Sequence, residues 1–585
     1  MRPITSAPPV ERLAPCLAVA VLFAAVAPAA TLAAGATSSP ATTGTAPTAV
    51  PANATSVDAA NASADDAEDA SPVIELLYPN PATDGDAGEF VAIRFPSATD
   101  ASNWSLDDGE SNVSLPNATV SGRVAVSSDP GVARNRTDLR VLGLDGSLQL
   151  SNSGETVRLT RGDVVADAVE YDDAPEGERR HRVENGSASD WAWTPLGATD
   201  FAVERSGPTS VRTFVLPDSP EIPVETLRRV DDRLLVAGYT FTSERAADAL
   251  ADAARRGVDV RMLVDDAPVG GLARRQAKLL DSLVARGVEV RVPDGPLARY
   301  RFHHAKYAVA DDRALVLTEN WKPAGTGGHG SRGWGAVVRD EATADRLAAV
   351  FRADAEWRAA VPWSEFRRGE SFEPTNATDD SYPDEIPAAN VTVESAGLLV
   401  APDHAESSLV SLLDSATDSI RVQQVEIGGR RQPFLRASLR AARRGVDVRI
   451  LLSSPWYAEE ANRELVEWLN RRADSENLSL QARLANPRGR YEKIHAKGVV
   501  VDGDAAVVGS MNWNNNSARN NREVGLVLRG EQAGAYYADA FDADWQASAG
   551  GPAGGKRLPV GLLVAVAVGA LAAILYARRE VVFEN

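Results

Sequence analysis

Cysteine and lysine are nearly absent from this chain of 585 residues. It has one cysteine, Cys16, and six lysines, whereas arginine supplies most of the 61 basic residues. A single thiol excludes intrachain disulfides, thiolate zinc folds and a conventional disulfide scaffold. Acidic residues number 81, which gives a formal net charge of −20. Surplus carboxylate with scarce lysine is typical of salt-loving archaea, and acid spread over every surface does not identify a partner.

The length and the apolar content predict several folded domains. At roughly 100–200 residues per domain, the chain is too long for a single core. The hydrophobic fraction is 44%, which excludes disorder along the whole chain. We therefore expect a multidomain protein.

Both ends of the chain predict contact with a membrane. Arg2 and Arg12 precede an apolar run over 13–30 and small residues, a pattern that predicts a signal peptide over 1–34. An uncleaved N-terminal helix is the alternative. Residues 558–577 carry no charge, and a segment of that length spans the ~30 Å of a bilayer. We expect a single-pass cell-membrane protein whose large domains are extracellular and follow a disordered linker over 35–72.

Residues 73–175 have the pattern of a small all-β domain. Short apolar strands alternate with Gly, Asp and Asn at roughly ten-residue spacing, which predicts a β-sandwich. The stretches 103–108, 148–159 and 165–171 resemble the lamin-tail domain. That resemblance implies an immunoglobulin-like sandwich that binds or spaces rather than catalyses.

The chain then repeats itself. Residues 253–261 recur unchanged as 441–449, and each copy reads as a helix that ends at a glycine before a buried strand. Strand, helix and strand in this order predict a duplicated α/β domain with a parallel sheet. We expect one half over 217–370, a linker over 371–394 and a second half over 395–549.

The candidate chemistry lies at matching points of the two halves. His304 and Lys306 are separated by one residue, as are His495 and Lys497. On a strand such a pair shares one face, because side chains alternate. An ammonium group can bind phosphate oxygens, and an imidazole can attack phosphorus or transfer a proton. An aspartate follows each histidine by seven residues, and Asp311 and Asp502 are interpreted as structural.

These motifs resemble the phospholipase D superfamily, whose signature is His-X-Lys-X4-Asp followed by Gly-Ser-X-Asn. The second half matches in full, whereas the first half has residues 317–320 in place of the Gly-Ser-X-Asn stretch. The resemblance implies one shared site, a phosphohistidine intermediate, and no metal or cofactor. It also implies that a phosphate is held by the two lysines and by Thr318, Asn320, Ser510 and Asn512.

The acid that orients a catalytic histidine is expected in the second half only. Glu523 lies at the position of the family's acid and is expected to orient His495, whereas Gly333 stands at the equivalent position of the first half. This difference favours His495 as nucleophile and His304 as proton donor. We count Glu523 with the two His-X-Lys pairs as the catalytic set.

Three functions remain open at this stage. The first is a membrane-anchored extracellular phosphodiesterase that acts on nucleic acid, because the second-half motif is similar to the nuclease branch of the superfamily. The second is a phospholipase D or phosphatidyl transferase whose C-terminal helix holds it near lipid. The third is a non-catalytic adhesion or envelope protein, which the departures of the first half favour.

Overall fold

The computed structural model describes residues 71–81, 86–183, 190–295, 297–374 and 381–549. The expected signal peptide, the expected linker up to residue 70 and the expected C-terminal membrane helix lie outside these ranges. Among the helices that are described, none is both long and apolar enough to cross a bilayer.

The first folded region consists of two sheets on one core. One sheet has the strand order β10-β9-β1-β2-β5-β6 and the other β4-β3-β7-β8. Their apolar faces share a core that includes Ile74, Trp104 and Val157. The elements are β1 (Val73–Tyr78), β2 (Phe90–Asp100), β3 (Ser105–Asp107), β4 (Asn112–Ser114), β5 (Thr119–Ser127), α1 (Pro130–Ala133), β6 (Arg140–Gly143), β7 (Glu155–Arg161), β8 (Val164–Tyr171), β9 (Glu178–Arg182) and β10 (Trp191–Pro195).

This region extends beyond the expected boundary at residue 175. Strand β9 pairs with β1, and β10 pairs with β9, so the larger sheet continues to Pro195. The all-β character expected from the sequence is present. The immunoglobulin-like connectivity and the lamin-tail relationship stay predictions.

The first half of the repeat is a nine-stranded sheet with the order β18-β14-β13-β12-β15-β16-β17-β11-β19. Its first elements are β11 (Thr209–Leu216), α2 (Glu221–Arg228), β12 (Arg233–Gly238), α3 (Glu244–Arg256), β13 (Asp259–Val264), α4 (Arg274–Ala285) and β14 (Glu289–Pro293). It continues with β15 (Tyr307–Ala310), β16 (Arg313–Leu317), α5 (Pro323–Thr326), β17 (Gly333–Arg339), α6 (Glu341–Ala355), β18 (Ala360–Pro362), α7 (Trp363–Phe366) and β19 (Ala389–Val393).

The second half is a seven-stranded sheet with the order β20-β26-β25-β24-β21-β22-β23. Seven strands of the first half have counterparts here in the same arrangement. The elements are β20 (Ser395–Ala401), α8 (Ala405–Asp414), β21 (Ser419–Gln424), α9 (Pro433–Arg443), β22 (Asp447–Leu452), α10 (Glu459–Glu476), β23 (Leu480–Leu484), β24 (Gly498–Val501), β25 (Ala505–Gly509), a π-helical turn (Asn516–Asn520), β26 (Glu523–Arg529) and α11 (Glu531–Ala547).

The repeated sequence forms the element order that it predicts. Helix α3 begins after Ser243, whose side chain accepts a hydrogen bond from the Ala246 amide, and ends at Gly257 with a φ of 95°. This left-handed conformation is one that glycine adopts without strain. The buried strands that follow the two glycines are β13 and β22, as expected.

The parallel pairing expected for the strands around each crossover helix is confirmed, but it does not extend to the rest of each sheet. Only β12, β13 and β14, and likewise β21, β22 and β23, pair in parallel. The strands that follow the His-X-Lys segments pair antiparallel, because short turns connect β15 to β16 and β24 to β25. Each sheet is therefore mixed.

Part of the expected linker belongs to the first sheet. Strand β19 pairs antiparallel with β11, although it lies within the linker expected over 371–394. The chain therefore crosses the edge of the first sheet immediately before β20 begins the second.

The two halves share a hydrophobic core. Trp334 of the first half stacks on Tyr537 of the second, with ring centroids 4.8 Å apart. The hydroxyl of Tyr537 donates a hydrogen bond of 2.7 Å to the Gly335 carbonyl. A Cβ atom at Gly498 would lie 2.2 Å from the Trp334 ring, so this glycine lets the two sheets approach each other. The halves thus pack as one unit.

Candidate active site

The two His-X-Lys segments lie in extended chain immediately before β15 and β24, not inside those strands as expected. The amide of His304 donates to the Arg522 carbonyl at 3.0 Å, and that of His495 donates to the Arg332 carbonyl at 2.9 Å. Each segment is therefore held by backbone from the other half. This pairing brings the two motifs to the same seam.

The ring of His304 is fixed by residues from both halves. Its Nδ1 atom lies 2.9 Å from each carboxylate oxygen of Glu523. The ring of Tyr239 packs edge-on against the imidazole at a centroid distance of 4.7 Å. The Tyr239 hydroxyl accepts a hydrogen bond of 2.5 Å from the Val269 amide. With Nδ1 facing the acid, Nε2 is the ring nitrogen that can meet a substrate.

The pairing of acids and histidines differs from the sequence-based expectation. Glu523 contacts His304 rather than orienting His495, and His304 does have an acid partner. Nδ1 of His495 lies 3.3 Å from Oε1 of Glu319, whose side chain is 4% exposed. Each histidine therefore faces a carboxylate of the opposite half, so the reason for preferring His495 as nucleophile is lost.

The first-half acid was missed because it occupies a different position of the repeat. The Thr318 amide donates to the Trp334 carbonyl, and the Ser510 amide donates to the Val524 carbonyl in the same way. By this register, Gly333 is equivalent to Glu523, and Glu319 is equivalent to Met511. A Cβ atom at Gly333 would lie 2.6 Å from Cγ of Glu319. The glycine leaves the space that the relocated acid fills.

The two lysines lie beside the histidines. Nζ of Lys497 donates to the carbonyls of His495 at 2.8 Å and Thr318 at 3.3 Å, and it lies 3.1 Å from Nδ1 of His495. Nζ of Lys306 donates to the His304 carbonyl and lies 5.1 Å from the centroid of the Tyr239 ring. Each lysine nitrogen thus lies beside the histidine of its own motif.

Burial keeps both imidazoles neutral at pH 7. Desolvation lowers the pKa of His304 to about 4, against the opposing charge of Glu523. Desolvation likewise lowers the pKa of His495 to about 4, against the opposing charge of Glu319. Lys497 contributes to lowering the pKa of the first ring, and Lys306 contributes to lowering that of the second. The four groups therefore interact as members of one site.

The acids and one lysine are shifted in ways that suit anion binding. Burial acts to raise the pKa of Glu319, but the interaction with His495 and the charge of Lys497 outweigh it and lower the pKa to about 2. Burial lowers the pKa of Lys497 to about 8 and that of Lys306 well below its usual value. Lys497 is mostly charged at neutral pH and can attract a phosphate.

The four polar residues expected to hold phosphate divide into two kinds. Asn320 is buried, and its Oδ1 has no hydrogen-bond partner among the described residues; Asn512 is half-buried. The Thr318 hydroxyl accepts from the Trp334 amide at 2.8 Å, and that of Ser510 accepts from the Val524 amide at 3.1 Å. The two hydroxyls thus tie neighbouring strands together, whereas an asparagine is available to a substrate.

The motif aspartates hold loops that border the first parallel strand of each half. The carboxylate of Asp311 accepts from the amides of residues 231–233. Asp502 accepts from the amides of residues 417–419 in the same way. Several backbone donors lower the pKa of each carboxyl against the opposing effect of its burial. Neither carboxylate is directed at the histidines.

Two buried arginines that the sequence analysis assigned no role brace the seam. Arg522 is fully buried and contacts Asp354 of helix α6 at 2.9 Å and Asp403 at 2.8 Å. Arg332 is equally buried and contacts Asp544 of helix α11 at 3.0 Å; it also pairs with Asp218. Each guanidinium bridges the two halves, and the backbone carbonyl of the same arginine accepts the hydrogen bond from a His-X-Lys segment. The sequence feature that could have identified them is the arginine at equivalent positions of the two repeats, Arg332 and Arg522.

Exposed apolar side chains stand near the site. Val269, whose amide binds Tyr239, is 82% exposed, and Trp456 is 88% exposed. Tyr457 packs edge-on against Trp456 and lies 5.5 Å from Nζ of Lys493. The loops that carry these residues follow the equivalent strands β13 and β22, so they approach from both halves.

Comparison with known families agrees with the duplication. Residues 224–355 and 409–545 match the family model described as "Cardiolipin synthase, PLD-like domain". Each half therefore contains a PLD-like domain, and the duplicated α/β architecture expected from the sequence is confirmed. No curated protein sequence matches this chain.

Solved structures of low sequence identity are similar to parts of the chain. Phosphatidylserine synthase of Haemophilus influenzae is 14% identical over 58% of this chain and 85% of its own, with a TM-score of 0.44. Nuc of Salmonella typhimurium, a phospholipase D family member, is 18% identical over 27% of this chain and 98% of its own, with a TM-score of 0.23. NucT of Helicobacter pylori is 21% identical over 26% of this chain and 96% of its own, with a TM-score of 0.23.

Proposed function

We propose that this chain, which carries two PLD-like domains, is a phosphodiesterase with a single active site built from both halves. The observation that carries the proposal is the crossed pairing of Glu523 with His304 and of Glu319 with His495. Two oriented imidazoles beside two lysines match the needs of phosphodiester displacement, which are a nucleophile, a proton donor and positive charge near the phosphate oxygens.

We assign the nucleophile to His304. Its contact with Glu523 is shorter than that of His495 with Glu319, and a close carboxylate fixes the tautomer and stabilises the cation that forms on attack. Nε2 of His304 attacks phosphorus, and the bond to the leaving oxygen breaks. His495 supplies the proton that this oxygen takes.

The second step reverses these roles. His495, now neutral, takes a proton from water as the water oxygen attacks phosphorus. The phosphorus–nitrogen bond then breaks and returns the electron pair to His304. Lys306, Lys497 and the amide of Asn320 bind the nonbridging oxygens in both steps. The substrate's own negative charge offsets the two lysines, which raises the pKa of His495 and lets it carry the proton in the first step. No metal or cofactor enters this sequence.

We propose nucleic acid as the substrate and the outer face of the cell membrane as the location. The nucleic-acid proposal rests on the second-half motif, which is similar to the nuclease branch of the superfamily. The location rests on the signal and membrane segments expected from the sequence at the two ends of the chain.

A phospholipid is the second candidate substrate. The exposed Val269, Trp456 and Tyr457 support it, since aromatic side chains with a polar edge are favoured at a membrane interface. The double variant Trp456→Ser with Tyr457→Ser tests this candidate. If these rings bind lipid, the variant lowers the rate on diether phospholipid vesicles and leaves any rate on oligonucleotides unchanged. The opposite pattern is expected if these rings contact a base. The adhesion hypothesis loses its main support, because the first half does have an acid.

A small diester tests the proposed activity. The full chain is given bis(p-nitrophenyl) phosphate at high salt with EDTA, beside His304→Ala, His495→Ala and a control, His181→Asn, in strand β9. The proposal is supported if turnover persists with EDTA and in His181→Asn but is lost in His304→Ala and in His495→Ala. Turnover that either alanine variant retains would overturn it.

A further inference from the structure

A large cleft separates the β-region from the PLD-like halves. It has a volume of about 1080 Å³ and is lined by residues of both. The β-region contributes Arg136 and neighbouring side chains, the first half contributes residues 297–301, and the second half contributes residues 514–516 with Asn520. The cleft is therefore formed only when all three parts of the chain are together.

Arginines outnumber carboxylates in the lining of the cleft, where the acids are Asp138, Glu176 and Asp200, although the chain as a whole is strongly acidic. Six arginines line it, which are Arg123, Arg136, Arg179, Arg299, Arg301 and Arg519. Three of them, Arg123, Arg179 and Arg519, form ion pairs with carboxylates. In the described part of the chain the guanidinium groups of Arg136, Arg299 and Arg301 form no such pair.

The unpaired arginines are available to a ligand. Nε of Arg136 is buried and has no hydrogen-bond partner among the described residues. The guanidinium of Arg299 stacks on the Trp357 ring at 3.5 Å and donates one hydrogen bond of 3.2 Å to the Ala353 carbonyl, which leaves its other N–H groups for a ligand. Arg301 is exposed and reaches Asn516 through a single hydrogen bond of 3.4 Å. Guanidinium groups held in this way suit the planar, bidentate recognition of phosphate.

A continuous row of rings connects the cleft with the active site. The Arg301 guanidinium lies 5.7 Å from the centroid of the Phe302 ring. Phe302 packs on Tyr239 at 5.7 Å, and Tyr239 packs on His304 at 4.7 Å. On the second half, the asparagines of the cleft begin two residues after Asn512. The packed rings of Phe302 and Tyr239 thus lie between the cleft and His304.

We infer that the cleft binds the phosphodiester backbone of a single-stranded nucleic acid whose next phosphate lies in the active site. This inference rests on the proposed function and adds to it a binding site for the substrate strand outside the active site. Several cations along a groove suit a chain of phosphates, and the Arg–aromatic stack and amide side chains suit the bases beside them. A phospholipid would present one phosphate and would leave most of these cations unused.

Binding and turnover measured on the same variants test the inference. The double variant Arg136→Gln with Arg301→Gln is compared with Arg255→Gln with Arg471→Gln, which loses the same charge from exposed helix positions. We measure the anisotropy of fluorescein-labelled oligo(dT) in a His495→Ala background, with EDTA, over a range of salt. The cleft variant is expected to bind at least tenfold more weakly than the parent. The slope of its log binding constant against log salt concentration is expected to become less steep by about 0.7 per lost phosphate contact. The helix variant is expected to match the parent.

Turnover separates failure of this inference from failure of the proposed function. With His495 intact, the cleft variant is expected to keep its rate on bis(p-nitrophenyl) phosphate within twofold while its KM for the oligonucleotide rises. The single variant Arg301→Gln, changed at an exposed position, is expected to show a smaller shift in the same direction. Equal binding of oligo(dT) by the cleft and helix variants would overturn the inference. Absence of turnover of the small diester by the parent would instead overturn the proposed function.

Discussion

Oε1 of Glu319 lies 3.3 Å from Nδ1 of His495, and this contact joins the first half of the repeat to the second. Glu523 makes the reciprocal contact with His304. The two acids stand at positions of the repeat that are not equivalent, yet they reach equivalent sides of the two rings. The site therefore keeps its approximate twofold arrangement although the sequence of the two halves has diverged.

Replacement of Glu319 by glutamine is expected to lower kcat on the small diester on the order of 10²-fold, with little change in KM. The amide keeps the shape of the side chain but removes the charge that orients and stabilises a protonated His495. Steady-state kinetics measure both constants. An unchanged kcat would show that the first-half acid has no part in turnover.

An exchange of positions tests the relocation directly. Glu319→Met places in the first half the residue found at the equivalent point of the second, and is expected to lose activity as Glu319→Gln does. The double variant Glu319→Met with Gly333→Glu restores an acid at the position equivalent to Glu523. Its activity is expected to be at least tenfold higher than that of Glu319→Met. Gly333→Glu alone is expected to destabilise the protein, because its Cβ would lie 2.6 Å from Cγ of Glu319.

The rate is expected to fall above pH 8. Burial lowers the pKa of Lys497 to about 8, so this lysine loses its charge as the pH rises through that value and attracts phosphate less. On the acidic side, the pKa of about 4 for His304 predicts that protonation of this nucleophile lowers kcat/KM only near pH 4. Lys497→Arg is expected to remove the alkaline fall, since arginine stays charged. The pH profile of kcat/KM for the parent and this variant gives the comparison.

The buried arginines are expected to stabilise the joined halves. Arg522→Leu leaves Asp354 and Asp403 without their cation and is expected to lower the free energy of unfolding by about 3–5 kcal/mol. Arg332→Leu is expected to lower it by a similar amount, because Asp218 loses its cation and Asp544 keeps only Arg490. Arg255→Leu removes an exposed ion pair with Asp252. It is expected to change the free energy of unfolding by no more than about 0.5 kcal/mol. Denaturant unfolding followed by tryptophan fluorescence compares the three, and equal midpoints would contradict the bracing role.

The duplication and the positions of the two His-X-Lys motifs could be predicted from the sequence because both are local patterns. An unbroken nine-residue repeat and a rare residue pair need no knowledge of tertiary contacts. The helix caps and the strands after Gly257 and Gly445 could be predicted for the same reason.

The crossed acids could not be predicted, because they depend on how two sheets meet. Comparison of equivalent positions assigned Glu523 to its own half and gave His304 no acid. Glu319 was inconspicuous in the sequence since it stands one strand away from the expected position. The antiparallel part of each sheet and the inclusion of β19 in the first sheet likewise follow from pairings that the chain order does not specify.

The most direct measurement is capture of the covalent intermediate. The full chain is mixed with a phosphodiester substrate, quenched in alkali within one turnover and digested, and the peptides are analysed by mass spectrometry. The account predicts phosphoramidate mass on the peptide that contains His304, with more of it in His495→Ala if that variant still attacks but cannot activate water. A phosphorylated His495 peptide with an unmodified His304 peptide, or turnover with no modified histidine, would contradict it.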